Sequence, residues 1–163
     1  MKTMQARRPL RAGLVAKGYG LTLATLLVAV VGGTQPAAAG KDDLVLSGGY
    51  MQTTIPSVPG AGYFTLENKG ETDYELVGAS SPGCGSVMLH KSEEVDGVST
   101  MHHVDGVPVP AHKSITFAPG GYHLMCMSPT ASLKPGGSVP VTLTFKDGST
   151  LTGDFPVRKP GEQ

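Results

Sequence analysis

The sequence predicts an all-β fold, a sandwich or small barrel of about eight or nine strands. Three observations carry this expectation. From Leu44 onward no segment places apolar residues at the helical i, i+3, i+4, i+7 spacing. Short β-branched and aromatic segments recur instead between clusters of Gly, Pro, Asn and Asp. Near the C-terminus, Val139, Val141, Leu143 and Phe145 alternate with Pro140, Thr142, Thr144 and Lys146. That is the period of two expected where one face of a strand is buried.

The strands can be taken in order. Tyr63 to Glu67 is closed by Asn68-Lys69-Gly70. Tyr74 to Val77 ends at Ser80-Ser81-Pro82-Gly83, and Val87 to His90 follows. Asp96-Gly97 turns the chain into Val98 to Val104, and Asp105-Gly106 turns it again. Ser114 to Phe117 leads through Pro119-Gly120-Gly121 into Tyr122 to Met127. Asp147-Gly148 turns the alternating strand into Leu151 to Val157. Short strands at this spacing build a closed or doubly layered sheet. No repeat, low-complexity tract or second folded domain is visible, and residues 160–163 are expected to form a flexible tail.

The first 39 residues read as an address. Lys2, Arg7, Arg8, Arg11 and Lys17 precede an apolar run from Leu21 to Val31, and Ala37-Ala38-Ala39 supplies small residues for cleavage. About eleven apolar residues suit a signal-peptide core, whereas a membrane span needs roughly 20. Residues 1–39 are therefore expected to be a signal peptide, with an uncleaved anchor as the alternative. Arg7-Arg8 admits a twin-arginine export reading beside ordinary charge. No Cys follows the apolar run, so a cysteine-linked lipid anchor is not expected. Residues 40–159 form the β domain, placed in a periplasmic or other extracytoplasmic compartment where disulfides persist.

Charge and composition exclude several classes. From Gly40 on, eight basic residues face thirteen acidic ones, a net charge of −5, with no basic stripe. This argues against a nucleic-acid partner. Trp is absent and aromatics are 6%, so no base-stacking platform is expected. Two Cys cannot staple a miniprotein or build an all-Cys zinc site.

Sulfur and imidazole are concentrated in one stretch. Between Met88 and Met127 lie all five His (His90, His102, His103, His112, His123) and four of the seven Met (Met88, Met101, Met125, Met127). Such clustering suggests a metal site. A thioether is a neutral, soft donor, poorly matched to Zn²⁺, Mg²⁺ or Ca²⁺ and well matched to Cu(I). Methionine has no proton to lose, so only the imidazoles make binding depend on pH. In a strand, His123 and Met125 project on one side and Leu124 and Cys126 on the other. His90 and Met101, flanking a turn-rich stretch, are candidates to complete the set.

The four residues are spaced H-x10-M-x21-H-x-M. Given the first His, chance placement of the other three is on the order of one in ten thousand. With this motif, Glu67-Asn68-Lys69-Gly70, Leu76 to Ser81 and Pro119 to Met125, the chain resembles the PCu(A)C family of periplasmic copper chaperones from about Leu44 to Val157. The resemblance implies a cupredoxin-like Greek-key barrel with one surface Cu(I) ion held by His90, Met101, His123 and Met125. It further implies a monomeric carrier that hands copper toward the CuA centre of cytochrome c oxidase, often alongside a Sco-type thiol protein.

Cys84 and Cys126 depart from that pattern. In an exported domain a disulfide is the expected state; a copper-binding thiol and two unpaired buried cysteines are the alternatives. In regular strands Cys84 would share the ligand face while Cys126 points away, so a bulge at Gly83 and Gly85 is expected to reverse Cys84. Met88 reads as a core or rim methionine or a spare ligand, His103 as an auxiliary ligand, and Met127 as an edge residue. His112 reads as a loop residue, and Glu93-Glu94 as an exposed turn. Blue copper requires a Cys thiolate with His and Met following closely, and no His follows Cys126. No nucleophile triad or phosphate loop suggests an enzyme. Copper buffering or tolerance remains beside delivery, and a metal-free adhesion sandwich leaves the Met/His cluster without a reason.

Overall fold

The computed structural model describes residues 42–55 and 58–162. The expected signal segment lies outside the described residues. The described residues form ten strands and no helix: β1 (Leu44–Gln52), β2 (Gly60–Asn68), β3 (Tyr74–Ser80), β4 (Cys84–Val95), β5 (Val98–His103), β6 (Val107–Val109), β7 (Ser114–Phe117), β8 (Tyr122–Pro129), β9 (Ser138–Phe145) and β10 (Thr150–Arg158). The extra strands are those without a clean signal. In β1, Gly48 and Gly49 interrupt the alternation, and the register to β2 shifts between Ser47 and Tyr50. The three-residue β6 is too short to show a period. The expected tail begins as a turn, with the Lys159 amide donating to Glu162 Oε2 at 2.9 Å.

The sheet runs β5-β4-β8-β7-β2-β1-β10-β9-β3-β6, with β8 also on β2. A further pairing of β3 with β4, Ala79 opposite Val87, closes it into a barrel. β5 is attached outside the ring to β4, and β6 to β3. Along β2, the Gly60–Gly62 end pairs with β8 and the Phe64–Glu67 end with β7.

Alternation decides what fills the barrel. Val139, Val141, Leu143 and Phe145 are buried as their period predicts, and Leu89, Leu124, Phe117 and Phe155 meet them. Phe64 stacks on Phe117 with centroids 4.2 Å apart. Met51, the methionine outside the cluster and the apolar leader, is a core residue at 1% exposure. Asn68 is fully buried, and its amide satisfies three backbone groups. Nδ2 donates to the carbonyls of Thr72 (2.8 Å) and Val109 (3.0 Å), and Oδ1 accepts from Gly70 N (3.0 Å). This ties the end of β2 to β6 and explains a buried polar residue in the Glu67-Asn68-Lys69-Gly70 corner without recourse to chemistry.

Cys84 and Cys126 form a disulfide, with Cα atoms 5.4 Å apart. The expected bulge at Gly83 and Gly85 is not how the geometry is met. Cys84 lies opposite Pro129 and Ser86 opposite Met127, so the register is unchanged and no residue is inserted. Instead the Gly85/Ser128 position drops out of the ladder, and Ser128 takes φ 48°. Burial changes side at that point: Cys84 is buried, while Ser86 and Met88 are exposed.

Candidate metal centre

β4 and β8 are antiparallel neighbours over most of their length, and β5 lies on the other side of β4. Their register sets the side chains in rows. His103, His90 and His123 are directly opposite one another on β5, β4 and β8. One row below, Met88 faces Met125. One row above, Met101 faces Ser92, whose amide donates to Gly121 O at 3.0 Å. Alternation puts all of these on the outer face, because Leu89, Leu124 and Cys126 point into the barrel.

Met101 and His123 meet even though β4 separates their strands. Met101 Sδ lies 3.2 Å from His123 Nε2. Two strand spacings amount to about 10 Å, so the methionine side chain must cross β4. It crosses beside Ser92 and Gly121, the smallest side chain with an oxygen and no side chain at all. Ser92 and Gly121 are therefore part of the site's construction, and neither was singled out by motif reasoning. The signal was present as smallness, but only the register shows what the smallness clears.

His123 is oriented from behind. Its Nδ1 lies 3.1 Å from Gly121 O. A carbonyl can only accept, so Nδ1 carries a proton, and in the tautomer this selects the Nε2 lone pair faces Met101. A lone pair on nitrogen facing a thioether sulfur is an arrangement that a cation between or beside them would stabilise. Tyr63 of β2 covers another side, its ring centroid 6.4 Å from that of His123. These neighbours leave His123 only 6% exposed although it belongs to the outer face. Burial and the charge of Tyr50 raise the Tyr63 pKa, keeping its hydroxyl neutral.

His90 stands 5.9 Å from His123 and 5.8 Å from His103, ring centre to ring centre, both edge to face. Its Nδ1 is buried without a hydrogen-bond partner. Burial first, then the imidazoles of His123, His103 and His102, hold His90 below the usual histidine range. It is therefore neutral at neutral pH, the form that donates to a metal. Met125 is half-buried, two residues from His123 on the same side. The four motif side chains thus occupy neighbouring positions on one face, and the donor set fits a soft cation.

The remaining candidates separate. His103 is exposed and its Nε2 lies 3.5 Å from Asp105. His102 has the opposite parity and pairs with Lys91. His112 is remote, at φ 56°, with Nε2 3.0 Å from Glu71. Glu93 is not in a turn as expected. It lies within β4 beside Lys91, which pairs with it and holds its carboxyl below the ordinary range. Among the described residues, no group of three or more His, Cys, Asp or Glu side chains could hold a metal ion.

The fold and this face define a class: closed β-barrel domains that carry soft-donor side chains on the outer surface of adjacent strands. The chain belongs to the LpqE-like family, whose description reads "Putative lipoprotein LpqE-like" and whose profile matches residues 44–157. The resemblance to PCu(A)C domains is matched at the level of structure. The Cu(I)-bound form of DR1885 from Deinococcus radiodurans is 32% identical and superposes with a TM-score of 0.60, covering 77% of this chain and 84% of that one. A copper-bound PCuAC domain from PmoF2 shares the fold at 19% identity, with a TM-score of 0.59 over 72% of this chain and 94% of that domain. A Leifsonia xyli protein named "Putative lipoprotein Lxx21020" is 36% identical over 99 residues, 60% of either chain. A Rickettsia prowazekii protein is 32% identical over 88 residues, 53% of this chain and 49% of that one. The matches thus span about half to three-fifths of those two relatives.

Proposed function

We propose that this domain is an exported, non-enzymatic Cu(I) carrier that binds one ion per chain through His90, Met101, His123 and Met125. The observation that carries the reading is the approach of Met101 Sδ to His123 Nε2 across an intervening strand. Core packing gives no reason for it, since Met101 is 50% exposed. The donor set supports monovalent copper over harder ions: two neutral imidazoles and two thioethers add no negative charge and prefer a soft cation. Copper in the names of the DR1885 and PmoF2 structures supports the same element. The lipoprotein description of the family and of the Leifsonia relative supports export to a periplasmic or extracytoplasmic location.

Transfer proceeds by ligand exchange. A donor from the recipient enters as a thioether leaves, so copper is never free and its oxidation state is unchanged. The recipient we propose is the CuA subunit of cytochrome c oxidase or a Sco-type protein. Storage for copper tolerance is the alternative use of the same site. An electron-transfer cupredoxin is disfavoured because both cysteines are joined to each other and no thiolate is left.

X-ray absorption on the Cu(I)-loaded protein tests the ligand set. Two sulfur and two nitrogen neighbours are expected, with one sulfur lost in Met101→Leu and one nitrogen in His123→Ala. Unchanged Cu(I) affinity in both variants, measured against a competing chelator, would overturn the assignment. Mixing the loaded protein with apo CuA subunit tests the recipient: copper appearing in the CuA subunit without passing through a chelator supports delivery, and its retention supports storage.

A further inference from the structure

One part of the methionine cluster is left over by the four-ligand site. Met88 is 43% exposed on the outer face of β4, where an apolar side chain gains nothing from the core. It lies directly opposite Met125. Met127, the next outward residue of β8, faces Ser86. Directly opposite residues on antiparallel strands have Cβ atoms about 5 Å apart, and diagonal ones roughly 7–8 Å. Methionine side chains are long, unbranched and flexible, so three thioethers at these spacings can reach a common point. Small residues lie opposite two of them: Ser86 opposite Met127, and Ala61 of β2 opposite Met125.

We propose that Met88 and Met127, sharing Met125 with the principal site, form a second and weaker position for a soft monovalent cation, through which copper enters and leaves. The inference rests on the reading of the principal site and adds a route to it. His123 is 6% exposed and Met88 is 43% exposed, so an ion drawn to the outer position leaves its most enclosed ligand behind. Met125 belongs to both positions and keeps hold of the ion during the move. Cu(I) exchanges its bonds to His123, His90 and Met101 for bonds to Met88 and Met127. No electron moves, because the ion stays monovalent; the thioethers take up no proton, and any proton that enters goes from solvent to the imidazoles the ion leaves. With three neutral thioethers and no imidazole, the outer position binds less tightly than the inner one, as an exchange position requires.

Silver(I) is the probe, a soft monovalent ion that does not change oxidation state in air. The full-length protein, labelled with ¹³C at the methionine methyls, is titrated and followed by NMR. The first equivalent is expected to shift Met101 and Met125. The second is expected to shift Met88 and Met127, with Met125 moving again and buried Met51 still throughout. Met88→Leu, close in volume and chemistry to the original, should abolish the second step and leave the first equivalence point in place. Met88 and Met127 unmoved through two equivalents would overturn the proposal, and so would their moving fully with the first. Silence of Met101 and Met125 in the first equivalent would instead overturn the principal site, and the outer position with it.

Discussion

Replacing Cys84 and Cys126 together by Ala removes a cross-link that closes a loop of large span. The two residues are 42 apart in sequence. For a loop of that size, the chain-entropy relation assigns about 4 kcal/mol to the constraint on the unfolded chain. With a urea dependence of roughly 2 kcal/mol per M, the unfolding midpoint falls by about 2 M. That is a large share of the stability of a domain of this size, commonly about 5–15 kcal/mol. Copper binding should respond differently. Six consecutive register pairs, from Ser86 opposite Met127 to Lys91 opposite Tyr122, hold β4 against β8 independently of the disulfide. The double variant, while folded, is therefore expected to bind Cu(I) within about tenfold of the parent, less than the loss of a supporting contact to a ligand causes. The assay is urea unfolding of oxidised parent and variant by circular dichroism, with chelator competition in parallel. A midpoint shift under about 0.5 M, or a loss of Cu(I) affinity larger than the loss of stability, would refute the view that the disulfide acts on the fold and not on the site.

Asn68→Ala leaves the carbonyls of Thr72 and Val109 and the amide of Gly70 without their partner, and should cost about 2–4 kcal/mol in thermal or chemical denaturation, with copper affinity untouched. Ser92→Leu places a branched side chain where Met101 crosses β4; Cu(I) affinity should fall about 10–100-fold, as for other supporting positions, while Ser92→Ala keeps it. X-ray absorption on the Leu variant should then show one sulfur fewer. Because His90 is held below its unfolded-state pKa, the unfolded chain binds more protons in that interval. Stability of the metal-free protein is thus complete above about pH 6.5 and is lost as pH falls through the lowered His90 value. Urea titrations between pH 5 and 8 read the slope, and an opposite sign would show that His90 gains a partner on folding.

The sequence made strand type legible wherever alternation was uninterrupted, as from Val139 to Phe145, and failed where glycine or brevity erased the period, as in β1 and β6. It also assigned faces on β8 correctly, because parity is a local property. Neighbour relations are not local. Nothing in the chain order says that Ser92 lies between Met101 and Gly121, or that Tyr63 covers His123, because both follow from which strands pair. The same limit explains the cysteines. Their pairing was expected from compartment, but the device that turns Cys84 inward was assigned to an inserted residue. The structure uses one left-handed serine opposite a glycine instead.

On β8, enclosed Leu124 and Cys126 alternate with His123 and Met125, so adjacent residues answer to different demands. The inward set carries cohesion, and the outward set carries the donors assigned to copper in the proposed function. A protein organised this way can be re-tuned toward another ion by exchanging outward residues one at a time, with the interior left as it is.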